Sequence, residues 1–206
     1  WNQIGADIDG EAPGDLSGYS VSLSGDGSIV AIGAYNNSGN GFQSGHVRIY
    51  NWGGSSWNQI GADIDGEAAQ DNSGLSVSLS SAGSRVAIGA HANDGNGSGA
   101  GHVRIYENIN SAWVQIGQDI DGEAAQDNSG HSVSLSSDGS IVAIGAYGNG
   151  GSAPNAGHVR IYQNISNNWV QIGQDIDGES VSNSSGHSVS LSSDGNTVAI
   201  GAYRND

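Results

Sequence analysis

The sequence predicts an all-β fold, a β-propeller built from four-stranded blades of 56 residues. Three observations predict it. One unit recurs at a constant spacing, each unit contains four short runs of strand character, and Gly, Ser, Asn and Asp separate those runs. A β-solenoid or an open stack of repeat sheets is the alternative, because both are also built from short repeated units.

The repeat is visible in phrases that return every 56 residues. A tryptophan opens each copy, and SVSLS, VAIGA and GHVRIY follow in that order. The full copies are 1–56, 57–112 and 113–168, and a partial copy at 169–206 stops before GHVRIY. We therefore expect one repeat array, taken from a longer chain.

Each element of the unit has its own signal. SVSLS, VAIGA, HVRIY and WxQIGxDI alternate β-branched or bulky residues with small or polar ones, as strands do. VAIGA also supplies the small residues that closely packed blades need. An Asp-Gly pair predicts a tight first hairpin with positive φ at both residues, at Asp26-Gly27, Asp138-Gly139 and Asp194-Gly195. The stretch before GHVRIY varies most between copies and is expected to be an exposed loop.

Composition excludes several functions. The formal net charge of −16 opposes binding to nucleic acid or to anionic membranes. The chain has no cysteine, which rules out disulfides, thiolate zinc sites and thiol nucleophiles. The sequence contains no run of 18 apolar residues, so it predicts no membrane-spanning helix.

The units resemble FG-GAP-type β-propeller repeats, the kind found in integrin α-subunits. The likeness rests on the GYSVSL phrase at 18–23, on the Gly-Ala pair of VAIGA and on GHVRIY. It implies a seven-bladed ring in a cell-surface or secreted protein concerned with adhesion or ligand binding. The calcium loop of that family, D-x-D-x-D-G between the first two strands, is absent here, so its ligands do not carry over.

A different acidic phrase, DIDGE, is the candidate metal site. Clustered carboxylates suit a hard cation, and we predict calcium. The alternative is that these groups cap turns and face water. The candidate ligands are Asp7, Asp9, Glu11, Asp63, Asp65, Glu67, Asp119, Asp121, Glu123, Asp175, Asp177 and Glu179. A further acid follows at Asp15, Asp71 and Asp127, and Asn183 replaces it in the fourth copy.

Other repeated polar residues are assigned to packing. The histidines of the third strand, His46, His102 and His158, are interpreted as packing residues and not as ligands. The arginines two positions later are expected to fix blade packing through ion pairs. The repeat-opening tryptophans are assigned to contacts between blades, whereas Tyr35, Trp52 and Tyr147 are candidates for stacking on sugars.

No catalytic motif is present, and every polar cluster is repeated, whereas an active site normally combines unlike residues once. We predict a non-catalytic, extracellular or cell-surface module for adhesion or binding, with a protein or glycan partner. The alternative is a structural repeat protein that joins copies of itself by strand addition into fibres or a surface layer.

Overall fold

The protein is described by a computed structural model covering residues 1–205, and within this range it is entirely β. Three five-stranded sheets and one two-stranded sheet follow each other along the chain. The first sheet contains β1 (Ser20–Leu23), β2 (Ile29–Ala34), β3 (His46–Trp52), β4 (Trp57–Gln59) and β5 (Ile64–Asp65). The second contains β6 (Ser76–Leu79), β7 (Arg85–Ala90), β8 (His102–Ile109), β9 (Ala112–Gln115) and β10 (Ile120–Asp121).

The third sheet contains β11 (Ser132–Leu135), β12 (Ile141–Ala146), β13 (His158–Ile165), β14 (Asn168–Gln171) and β15 (Ile176–Asp177). The last contains β16 (Ser185–Leu191) and β17 (Val198–Ala202). No helix in residues 1–205 is long and apolar enough to cross a membrane.

The predicted fourth strand is interrupted. In the first sheet, β4 and β5 both pair with β3, one at each end of it, and residues 60–63 form a break between them. Gly61 has a φ of 72° in this break, a left-handed conformation that ends regular pairing. The WxQIGxDI phrase therefore forms two short strands and not the single strand that its alternation predicts.

The first hairpin also differs from the sequence expectation. Gly27 has a φ of 72°, whereas Asp26 is not among the residues with positive φ. Instead, Asp26 Oδ1 accepts hydrogen bonds from the backbone N–H and the hydroxyl of Ser28 and from the Ser24 hydroxyl, at 2.7–2.9 Å. These bonds, led by the backbone N–H of Ser28, lower the pKa of Asp26 to about 2. The aspartate thus acts through its carboxylate and not through a positive φ.

Each sheet is one blade, and successive blades pack face to face. Every sheet takes its hydrogen-bonded strands from a single chain segment, which distinguishes the array from a solenoid. The first strands of neighbouring blades lie next to each other. Buried apolar residues from two blades form each core, as in the cluster of Val47 and Ile49 with Leu79, Val86 and Ile88. The all-β propeller-type fold is therefore confirmed.

Blades meet so closely at the second strand that a glycine is required. A Cβ added at Gly89 would overlap the carbonyl oxygen of Gly130 in the next blade. The Ser76 hydroxyl donates to that same carbonyl at 2.7 Å. Equivalent contacts join the first blade to the second and the third to the fourth, through Gly33 with Gly74 and Gly145 with Gly186.

Adding a methyl group at this contact tests how much the contact contributes to stability. We expect Gly89→Ala to lower the free energy of unfolding by about 2–3 kcal/mol, because backbone atoms of two blades must move apart. Gly201→Ala is the matched control, since a Cβ there meets only the Ser188 residue of its own hairpin. Urea denaturation of both variants measures the difference, and equal losses would contradict the blade contact.

The second blade lacks the hairpin carboxylate, because Ala82 stands where Asp26 stands in the first. Ala82→Asp should raise the melting temperature near neutral pH. An aspartate whose folded pKa is lowered stabilises the fold above its ordinary pKa of 3.8, and that gain is lost as the pH falls to about 2. Thermal denaturation between neutral pH and about pH 2 tests this dependence of the melting temperature on pH. Ala82→Asn, which carries no charge, should show no such pH dependence.

Candidate metal centre

Three equivalent groups of polar side chains lie on one end of the blades in residues 1–205. Each combines a glutamate from the connector entering a blade, a histidine at the start of the third strand, and an aspartate from the interrupted fourth strand. The groups are Glu11, His46 and Asp63; Glu67, His102 and Asp119; and Glu123, His158 and Asp175.

Their geometry is nearly the same in all three blades. In the first group, His46 Nδ1 lies 3.7 Å from Glu11 Oε2 and 3.7 Å from Asp63 Oδ2. In the other two groups the distances to glutamate are both 3.9 Å, and those to aspartate are 3.8 and 3.6 Å. These separations are too long for direct hydrogen bonds. They leave room for a bridging cation or water between the three side chains.

The imidazole is the buried member. Each of the three histidines is 1% exposed, and its Nε2 has no hydrogen-bond partner among the described residues. Nδ1 is the atom that faces the two carboxylates. Burial, reinforced by the Arg104 charge, lowers the pKa of His102, and burial with Arg160 does the same for His158. A neutral imidazole keeps the lone pair that a metal needs.

Neighbouring side chains hold both carboxylates. Gln59 Nε2 donates to Asp63 Oδ1 at 2.6 Å across the strand break, so Oδ2 is the oxygen that faces the histidine. Gln115 and Gln171 hold the corresponding aspartates at the same distance. In the second group, Arg104 Nη1 lies 3.4 Å from Glu67 Oε1, and Oε2 faces the histidine.

The arginines also fasten each blade to the DIDGE segment that precedes it, which in the second and third blades includes the last strand of the preceding blade. Arg104 Nη2 donates to the Asp65 carbonyl at 2.7 Å, and its guanidinium lies 5.6 Å from the ring centre of Tyr106. Arg48 and Arg160 make equivalent bonds to the Asp9 and Asp121 carbonyls. The expected packing role is present, and its main partner is a backbone oxygen.

The twelve predicted ligands divide into two sets. Six of them lie in the three groups: Glu11, Asp63, Glu67, Asp119, Glu123 and Asp175. The other six lie outside these groups: Asp7, Asp9, Asp65, Asp121, Asp177 and Glu179. The acids of one DIDGE phrase do not converge, because its glutamate faces the following blade and its first aspartate faces the preceding one.

The fourth acid of each phrase caps a turn. Asp71 is 3% exposed, and its Oδ2 accepts bonds from the Ala68 N–H at 2.9 Å and the Asn93 side chain at 3.2 Å. Asp15 and Asp127 make the equivalent bonds. In the fourth copy Asn183 bonds to Asn205. The turn-capping interpretation thus applies to this acid.

Sequence reasoning assigned His46, His102 and His158 to packing alone. They are buried, but they also supply the nitrogen atom of each group. Their recurrence with the same period as DIDGE could have identified them as ligands. A histidine that repeats together with candidate carboxylate ligands is itself a candidate ligand. Calcium prefers six to eight oxygen ligands, so a group containing an imidazole nitrogen is not a typical calcium site.

A row of rings lies where the first strands begin and the second strands end. We call it the inner aromatic row. Its members are the pair Tyr19 and Tyr35 and the run His91, His131, Tyr147, His187 and Tyr203, and neighbouring rings within the pair and within the run lie 4.4–5.9 Å apart. Burial, followed by His187 and His91, lowers the pKa of His131 to about 4.

The sequence comparison matches residues 7–50 to the FG-GAP repeat model. The resemblance expected from the sequence is thereby confirmed, and the phrases within this range recur in the later copies. No curated protein matches the chain in sequence.

Two solved structures share the fold. Hydrazine synthase of Kuenenia stuttgartiensis is 11% identical with a TM-score of 0.54, over 95% of this chain and 44% of that one. A putative 6-phosphogluconolactonase from Bacteroides uniformis is 12% identical with a TM-score of 0.55, over 88% of this chain and 46% of that one. The chain spans less than half of either structure, and at these identities the likeness concerns the fold alone.

Replacing the arginine tests how the site is held. Arg104→Gln should lower the free energy of unfolding by about 1–3 kcal/mol, because the Asp65 carbonyl loses its charged donor. Chemical denaturation measures this. Arg204→Gln, at an exposed position, should change it by less than about 0.5 kcal/mol. A loss no larger than that of the control would show that the guanidinium does not hold the last strand of the first blade to the second blade.

Proposed function

We propose that this chain is a non-catalytic, extracellular or cell-surface propeller module that binds a glycan or protein ligand through its variable loops. The observation that supports this proposal is that the strands are nearly identical between repeats, whereas the sequences of the loop tips differ. The loops at 36–44, 92–100 and 148–156 differ in sequence, whereas the strands around them repeat almost unchanged. Binding residues are commonly placed on loops held by a rigid scaffold.

Constant residues fix each loop at its base. In the first loop, Asn37 is buried, its side chain donates to Asp15 at 2.8 Å, and its Oδ1 accepts the Gly39 N–H at 2.7 Å. Gly45 then donates to the Asn37 carbonyl at 2.9 Å, which closes the loop. Asn93 and Asn149 repeat this arrangement. The exposed tips can therefore vary without disturbing the blade.

The chemistry of this end suits a neutral ligand rich in hydroxyl groups. The loop tips carry Asn, Ser and Gly, and Phe42 is 64% exposed. The inner aromatic row offers further ring faces, which stack on sugars. The net charge of −16 disfavours anionic polymers. FG-GAP repeats are typically extracellular, which supports the proposed location.

Self-assembly is the second candidate, favoured by one surface. Val21 and Leu23 of the first blade are 64% and 59% exposed, whereas the equivalent Leu79 and Leu135 are buried against the preceding blade. A further blade of the same repeat, whether in the same chain or in another copy, is complementary to this face.

Affinity electrophoresis in gels containing chitin fragments, soluble cellulose derivatives or mannan tests the ligand-binding role. We expect retardation that disappears when the exposed residues at 38–42, 94–98 and 150–154 are replaced by Gly and Ser. The control replaces Asn110 and Ser111 by Gly in a hairpin turn at the opposite end of the blades. Retardation unaffected by the loop changes would count against the proposal. Sedimentation velocity of the same samples separates the candidates, since self-assembly gives concentration-dependent polymers.

A further inference from the structure

We propose that the three Glu–His–Asp groups bind a first-row transition-metal dication, with zinc as the expected ion. The proposal concerns a site separate from the loop tips and does not depend on the ligand they bind. Each group supplies one imidazole nitrogen and two carboxylate oxygens from three different elements of the fold. Imidazole and carboxylate are the usual zinc ligands in cysteine-free sites.

The histidine is the observation that raises these groups above ordinary surface acids. It is a polar ring that is almost fully buried, and it directs Nδ1 at two carboxylate oxygens without a hydrogen bond to either. Burying a polar ring without compensation is costly. A cation at Nδ1 would supply the interaction that this atom lacks.

The distances fit a metal that draws the carboxylates in slightly. Zinc bonds of about 2.1 Å at tetrahedral angles separate two ligand atoms by about 3.4 Å. The observed separations from Nδ1 are 3.6–3.9 Å. A movement of a few tenths of an ångström closes the site. The glutamates, whose side chains are 46–47% exposed, and the aspartates, at 28–32%, have the freedom to make it.

The residues around each group are arranged as supports of a metal site. A glutamine occupies one oxygen of the aspartate and leaves the other toward the histidine, as Gln115 does for Asp119. Arg160 lies near Glu123 Oε1, and Oε2 faces His158. Such contacts orient ligands before the metal arrives. Water would complete the coordination, because each group has three protein ligands.

A metal here would join the connector to the blade that it enters. Glu67 lies in the connector, whereas His102 begins the third strand of the second blade and Asp119 lies in the break of its fourth strand. An ion that binds only the folded arrangement stabilises it. We therefore expect zinc to raise the melting temperature.

Equilibrium dialysis of the metal-free chain against micromolar zinc, followed by elemental analysis, tests the proposal. We expect three zinc ions per chain, one for each group. Glu11→Gln, Glu67→Gln and Glu123→Gln should each lower this number by one. These glutamates are exposed, so the variants should fold. Cobalt gives a second readout, since its visible spectrum reports nitrogen and oxygen coordination and should lose intensity in the same steps.

The matched control removes the same charges beside the groups. Asp9→Asn, Asp65→Asn and Asp121→Asn together should leave three zinc ions bound, because the side chains of these residues lie outside the groups. Equal losses in the two series would reduce the binding to general attraction by acidic residues and overturn the proposal. Failure to bind zinc, or displacement of zinc by millimolar calcium, would overturn it as well.

Discussion

The close approach of successive first and second strands is the constraint on which the rest of the structure depends. At each junction a glycine carbonyl of one blade touches the glycine of the blade before it, and a serine hydroxyl donates to that same carbonyl. Gly has no Cβ to block this contact, and Ser is a small residue that also supplies the donor. The larger Val and Leu residues that alternate with serine in SVSLS point to the preceding blade, where they form the core.

Because every junction uses the same contacts, the polar groups recur with the same geometry. Trp113 and Trp169 donate their indole N–H to the carbonyls of Ile60 and Ile116 in the preceding repeat, at 2.9 and 2.8 Å. This bond fixes the outer part of the blade, as the glycine contact fixes the inner part. The strand break that supplies the aspartate follows directly after these isoleucines. The Glu–His–Asp groups are therefore a product of blade packing and not of the loops.

The sequence was sufficient to predict the features that depend on residues close to each other along the chain. Alternation and turn residues predicted SVSLS, VAIGA and HVRIY as strands, and the constant period predicted the blades. The break at Gly61 was missed because WxQIGxDI alternates like a continuous strand. The partner of Glu67 was missed because it is set by which blade the glutamate faces. Local spacing placed Asp63, Asp65 and Glu67 together, whereas tertiary packing divides them between two blades.

Each blade takes its fourth strand from the next sequence copy, since β4 and β5 lie beyond residue 56. Nearly identical copies make a correct pairing and a pairing with the wrong copy almost equal in energy. Short connectors, which give the adjacent copy a high effective concentration, then decide the outcome. Residues that occur in one copy only help to distinguish the copies. Arg85 pairs with Glu107 in the second blade, and no other described blade has this ion pair. Folding of this chain is thus a competition between copies, and dilute conditions favour the native order.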